Sequence, residues 1–183
     1  MALKVFVLEN STTKKKRQSD VQNAVREYLK NPKVKVVYDD DTGRATIEGA
    51  EKKLYISLTR ANTVMLVALY EKPIGIDSEY LPRVTVPENK IDYTMLAQRF
   101  FSEEEYDLMH ETNRETEAET FLRIWVRKEA YIKAAGKTIV EFPNFSVVDN
   151  MRFVPKVSGI SIKKFAIKFP ESENYVIAIA GLD

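Results

Sequence analysis

Asp77 and Glu79 stand two residues apart in the stretch IGIDSEY, residues 74–80, directly after an apolar run. Successive side chains of a strand alternate, so both carboxylates point to one face with Cα atoms about 6.6 Å apart. Like charges so placed raise one another's pKa unless a cation lies between them. A hard, oxygen-seeking ion such as Mg²⁺ resolves the repulsion, because it commonly takes one or two carboxylates and completes its octahedron with water and phosphate oxygens. The same pattern also fits a solvated strand end whose acids never meet a metal.

A second group of residues lies in WVRKEAYIK, residues 125–133. Residues four apart share a helix face, which lines up Trp125, Glu129 and Lys133, with Lys128 close to that side. A third acid flanked by two lysines suits a place where a cation and phosphates meet. An exposed Glu-to-Lys pair on an ordinary helix would read the same way. A third, basic group is formed by Lys14, Lys15, Lys16 and Arg17, with Arg26 and Arg44 further on. It reads either as a solvated loop or as a site for a ligand's phosphates. No Gly-rich phosphate loop of the P-loop or dinucleotide type occurs.

Composition narrows the chemistry. The 183 residues contain no Cys, which excludes disulfides, zinc-thiolate sites and a thiol nucleophile. The one His, His110, sits in the polar run DLMHETNRE and reads as an exposed bystander. A formal net charge of +1 gives no general attraction to nucleic acid or to an acidic membrane. The opening apolar run is too short for a signal peptide, and no stretch approaches the roughly 18 apolar residues of a membrane span. A cytoplasmic protein is expected.

The elements that must hold these residues are legible in outline. Residues 3–8 read as a strand, and Ser19 with Gln22 form a capping-box pair before a helix that Asn31-Pro32 stops. VKVVY and RATIE flank DDDTG as a hairpin, and residues 53–58, 63–70 and 74–77 add strands. After a Pro-punctuated link over residues 80–89, Ser102 with Glu105 open a helix. Thr116 with Glu119 open a longer one over residues 117–135, ended by Gly136. The tail returns to strands in FSVVD, RFVP, GISIKKFAIKF and NYVIAIAG. One α+β domain over residues 1–183 is expected, made of two loosely similar helix-plus-antiparallel-sheet halves, 1–80 and 81–183.

Taken in order, the Gly-Ile-Asp-x-Glu strand end and the later Trp-x-x-Lys-Glu-Ala-x-x-Lys resemble the 4′-phosphopantetheinyl transferases of the surfactin-synthetase type. RFFSEEEY, residues 99–106, is similar to that family's Arg-Phe-Phe-Ser stretch, and YISLT stands where the family usually has Ile-Ser-His-Ser. The resemblance covers roughly residues 41–136. It implies the family's pseudo-twofold fold, a monomer, and transfer of the phosphopantetheine arm of coenzyme A to a serine of an apo acyl or peptidyl carrier protein. Adenosine 3′,5′-bisphosphate would leave. It further implies Asp77, Glu79 and Glu129 as ligands of Mg²⁺ (or Mn²⁺), with Glu129 also as base. Lys133 and Lys128 would hold the coenzyme A phosphates, and Arg44 and Ser57 the nucleotide end. Lys14, Lys15, Lys16 and Arg17 lie in the region that grips the 3′-phosphate. Leu58 departs from the pattern, standing where the family commonly has His. A non-catalytic module that binds coenzyme A or a carrier on the same scaffold is the alternative.

Overall fold

The computed structural model describes residues 2–85, 92–111 and 113–182. Strand β1 (Lys4–Glu9) leads to helix α1 (Lys14–Leu29), hairpin β2 (Lys35–Tyr38) and β3 (Ala45–Glu48), and strands β4 (Tyr55–Ala61), β5 (Val64–Tyr70) and β6 (Gly75–Tyr80). Helices α2 (Pro82–Thr85), α3 (Tyr93–Phe100), α4 (Glu103–Glu111) and α5 (Arg114–Ala135) follow. The short strands β7 (Val148–Asp149), β8 (Arg152–Phe153) and β9 (Lys156–Val157) precede β10 (Ile160–Lys164) and β11 (Tyr175–Ala180). The expected α+β class is what the chain adopts.

Two antiparallel sheets form the centre, one ordered β1-β5-β4 and the other β6-β11-β10-β9. Alternation explains how they stack. Met65, Val67 and Leu69 of β5 pack with Val21 and Val25 of α1, while Leu66 and Ala68 face Ile76, Ile177 and Ile179 of the other sheet. Val176, Ala178 and Ala180 then face α5. The layers run α1, sheet, sheet, α5, and β5 and β11 are apolar on both faces because each is covered twice. Strand β6 follows the first sheet in sequence, yet its ladder is with β11, pairing Asp77 with Ala178 and Glu79 with Val176. Residues 75, 77 and 79 therefore face α5.

The approach of β6 to α5 depends on Gly75. A Cβ there would lie 1.9 Å from the carbonyl oxygen of Ala130 and 2.7 Å from the amide of Ala134. Glycine opposite two alanines lets backbone meet backbone, and this contact brings the strand's acids to the helix's Glu129 and Lys133.

Three boundaries differ from expectation. Helix α1 starts at Lys14, capped by Thr13, whose hydroxyl accepts from the Lys16 amide at 3.3 Å. The basic run is thus the helix's first turn, not a loop, and the expected Ser19–Gln22 box is not used. Gln22 instead donates to the Val34 carbonyl and accepts from the Val36 amide, tying α1 to the hairpin. Helix α5 begins at Arg114 with Asn113 as cap, three residues before the expected start, because the Asn113 side chain reaches the Thr116 amide at 3.0 Å. The Ser102–Glu105 box does form, and Gly136 ends α5 at φ 70°. The link over residues 80–89 is helical in α2, and its residues 86–89 lie outside the described residues.

Candidate active site

Asp77 is the buried centre of the site. Its Oδ1 accepts from Lys133 Nζ at 2.7 Å and from the Thr59 hydroxyl at 3.0 Å. Lys133, projecting from α5, also donates to the carbonyls of Ile76 and Leu58, at 3.2 and 3.3 Å. One ammonium thus ties α5 to both sheets, and its three donors meet three acceptors. Asp77 Oδ2 is buried and has no hydrogen-bond partner.

Glu79, one pleat further along β6, is turned toward α2, where Arg83 Nη1 donates to its Oε2 at 3.1 Å. Burial raises the pKa of its carboxyl and Asp77 raises it further, against the pull of Arg83 and Lys133. Glu129 is pushed up to about 7, first by burial, then by repulsion from Asp77 and Glu79, with Lys133 opposing. The three acids therefore act on one another. Two cations, Lys133 and Arg83, stand among three carboxyls. Among the described residues no group of three or more His, Cys, Asp or Glu is placed so that it could hold a metal ion. The unbonded Asp77 Oδ2 is by itself an oxygen donor of the kind a hard cation takes.

Two hydroxyls of β4 hold this arrangement, those of Ser57 and of Thr59, which the sequence analysis did not single out. The Thr59 hydroxyl bonds Asp77 and also accepts from the Ser78 amide at 3.0 Å, and Ser57 Oγ accepts from the Ile76 amide at 3.0 Å. Ser57 and Thr59 occupy one face of β4, so β4 is stitched to β6 by hydroxyls where no backbone ladder runs. The signal was present as Ser-x-Thr in a strand with buried neighbours. Ser57, expected at a nucleotide, is 6% exposed and its hydroxyl is engaged with β6. Leu58 points the other way, into the cluster under α1.

Lys128, expected at the coenzyme A phosphates, lies apart from these acids. It is fully buried, and its Nζ lies 2.9 and 2.7 Å from the two oxygens of Glu105 and 2.7 Å from the Phe145 carbonyl. Glu105 completes its pairing with the amides of Ser102 and Val147. A single residue's turn from Glu129 carries Lys128 about 100° round the helix, in among Phe142 and Phe145. Trp125, expected beside Glu129, belongs to an aromatic group with Phe100, Phe121 and Phe142. It borders a small cleft of about 70 Å³ with Glu79, Arg83, Val84, Leu96, Phe121 and Leu122.

The other basic candidates lie elsewhere. Arg44 is exposed and donates to the Lys137 carbonyl, so the β2–β3 hairpin caps the C-terminal end of α5. Lys14 and Lys15 are exposed on the first turn of α1; Lys16 pairs with Asp20, and Arg17 donates to the carbonyls of Ser11 and Thr12. Arg26 is spent on the Val34 carbonyl. His110 is paired with Glu117 at 2.9 Å. No helix of the described residues is long and apolar enough to cross a membrane.

A model of the 4′-phosphopantetheinyl transferase superfamily matches residues 73–180, a span that holds Asp77, Glu79, Glu105, Glu129 and Lys133. The chain belongs to that superfamily. It is 35% identical over 99 residues to the 4′-phosphopantetheinyl transferase HetI of Nostoc sp., covering 54% of this chain and 39% of that one. It is 27% identical over 94 residues to the 4′-phosphopantetheinyl transferase Sfp of Bacillus subtilis, covering 51% and 38%. With the holo-[acyl-carrier-protein] synthase of Ehrlichia chaffeensis it shares 30% identity over 116 residues, 60% of this chain and 94% of that one. The match thus spans about two fifths of HetI and Sfp and nearly all of the shorter synthase.

Proposed function

We propose that this chain transfers the 4′-phosphopantetheine arm of coenzyme A to a serine of an apo acyl or peptidyl carrier protein, with adenosine 3′,5′-bisphosphate leaving. The observation that carries the reading is the meeting of Asp77 and Glu79 from β6 with Glu129 from α5 around Lys133, with one Asp77 oxygen left unbonded. A strand and a helix have been brought together, by a glycine and by a half-buried ammonium, to concentrate negative charge.

Asp77 Oδ2, Glu79 and Glu129 are the residues that would hold Mg²⁺ (or Mn²⁺). Such an ion polarises phosphoryl oxygens and neutralises charge that develops during transfer. The chain's own residues do the rest. Lys133 fixes Asp77 and offers a positive charge to a phosphate that displaces one of its carbonyl partners. Glu129, with its pKa near 7, is poised to take the proton of the attacking serine hydroxyl. Arg83, on the rim beside Glu79, and the exposed Arg44, Lys14 and Lys15 are the cations open to phosphates of the nucleotide. Lys128 has no such part. All the acids sit within one chain, which suits action as a monomer.

Incubation of the purified chain with coenzyme A, Mg²⁺ and several apo carriers, followed by intact mass measurement, tests the reading. A carrier heavier by one phosphopantetheine arm supports it. Coenzyme A binding without any gain of mass would replace it with the non-catalytic module.

A further inference from the structure

Among the described residues two cationic side chains are buried, Lys128 and Arg127. Lys128 is matched by Glu105. Arg127 is 8% exposed and, among the described residues, is paired with no carboxylate. Its Nη1 donates to the Arg123 carbonyl at 2.9 Å, and the guanidinium carbon lies 3.9 Å from the centre of the Phe153 ring on β8. The charged side chain that acts on it is Arg123, of the same sign. A buried guanidinium is normally retained because a counter-charge and further hydrogen bonds offset its desolvation. One carbonyl and one ring face leave most of its five donors unused.

The surroundings favour an anion. None of the guanidinium nitrogens is both buried and unbonded, so the unused edge reaches solvent. Phe153 is flanked by the exposed Arg152 and, three residues on, by the exposed Lys156. From residue 150 to residue 170 the chain carries five Lys and Arg and no Asp or Glu. The nearest acid in sequence, Asp149, faces Arg152 across the β7–β8 hairpin. Two residues along α5 turn about 200°, so Arg127 and Glu129 look to opposite sides of the helix.

We infer that Arg127, backed by the Phe153 ring, is the floor of a second anion site, separate from the acids at Asp77, and takes a single oxyanionic group, carboxylate or phosphate, from a ligand arriving from solvent. The unused edge forms two parallel N–H donors, a geometry that matches either group and that lysine does not reproduce. The ring beneath fixes the plane of the fork.

The test follows the Nε–Hε resonance of Arg127 in the whole chain labelled with ¹⁵N-arginine. Its signal is assigned by its loss in Arg127→Met. Sodium phosphate and sodium acetate are titrated separately, with ionic strength held constant by chloride. A saturable shift of that resonance is expected, with binding at least roughly tenfold stronger than chloride. Thermal unfolding should rise in the same buffer for the wild type and stay flat for Arg127→Met. Arg127→Lys, which keeps the charge and loses the fork, serves if the Met variant does not fold and should lose the effect. A response to phosphate alone assigns a phosphorylated ligand, and a response to acetate assigns a carboxylate. No saturable shift with either anion, or an equal thermal gain in both variants, overturns the site.

Discussion

Lys133 Nζ lies 2.7 Å from Asp77 Oδ1, across the junction of a helix and a strand that are 56 residues apart in sequence. Through the same ammonium the helix holds the carbonyls of Leu58 on one sheet and Ile76 on the other. Lys133→Met strands a carboxylate whose side chain is 8% exposed, and leaves the two carbonyls without this donor. Urea unfolding should show a loss of about 2–4 kcal/mol, recovered in part by Asp77→Asn in the same chain. If the double variant were no more stable than Lys133→Met alone, the pair would not be coupled as described.

Glu129 makes stability depend on pH in a defined direction. Its folded pKa of about 7 exceeds the ordinary value of 4.5, so between these limits the folded state holds a proton that the unfolded state has lost. The contribution is fully present below pH 4.5 and is lost as pH rises through 7, by an amount on the order of 3 kcal/mol. Glu129→Gln should therefore flatten the fall in stability between pH 5 and pH 8, measured by denaturant midpoints in EDTA. Glu79, raised in the same direction, leaves a residual slope. An unchanged slope in the variant would place the titration elsewhere.

Removing the acid at the centre separates charge from transfer. Asp77→Ala should lower the rate of carrier modification by at least roughly 10²-fold. It should also abolish any rise in melting temperature that millimolar Mg²⁺ gives the wild type, since a ligand that binds only the folded state stabilises it by mass action. Near-normal rates in the purified variant would remove Asp77 from the site.

The sequence showed the acids and their elements more clearly than their neighbours. Two residues on a strand and one on a helix could be read by alternation and by helical spacing, because both periods are fixed by backbone geometry. The partners could not. Lys128 shares a motif with Glu129, yet helix rotation sends it into the core, and only the fold reveals Glu105 waiting there. Thr59 looked like an ordinary strand residue, and the bond from the Ile76 amide to Ser57 was equally hidden, because both bonds run to a strand of the other sheet. The basic run misled for a local reason: Thr13 caps the helix six residues earlier than the Ser19–Gln22 pair suggested. Arg127, inside the motif, gave no sign in sequence that it faces away from the acids.

Gly75 offers a test of how the two parts of the site are brought together. In Gly75→Ala the new methyl meets the Ala130 carbonyl at 1.9 Å, and neither partner is a flexible side-chain end. Strand and helix must separate, which opens the Lys133–Asp77 bond as well as the core. A loss of about 3 kcal/mol or more is expected, with a fall in transfer rate larger than the fall in folded fraction accounts for. Circular dichroism and carrier modification on the same samples measure the two. A stable, fully active Gly75→Ala would show that the close approach is not what sets the site.

The buried Lys128–Glu105 pair should behave as a structural unit and not as part of coenzyme A binding. Each partner is fully buried, and the two carboxylate oxygens accept four hydrogen bonds between them, two from Lys128 and one each from the amides of Ser102 and Val147. Removing one partner leaves an uncompensated charge in the core, so Glu105→Gln or Lys128→Met alone should cost about 3–5 kcal/mol. Replacing both with residues of similar volume, Glu105→Gln together with Lys128→Met, should recover a large part of that loss. In the double variant the Michaelis constant for coenzyme A should stay within about threefold of the wild type, because the ammonium has no access to a phosphate. A tenfold rise in that constant in a folded double variant would return Lys128 to the ligand site.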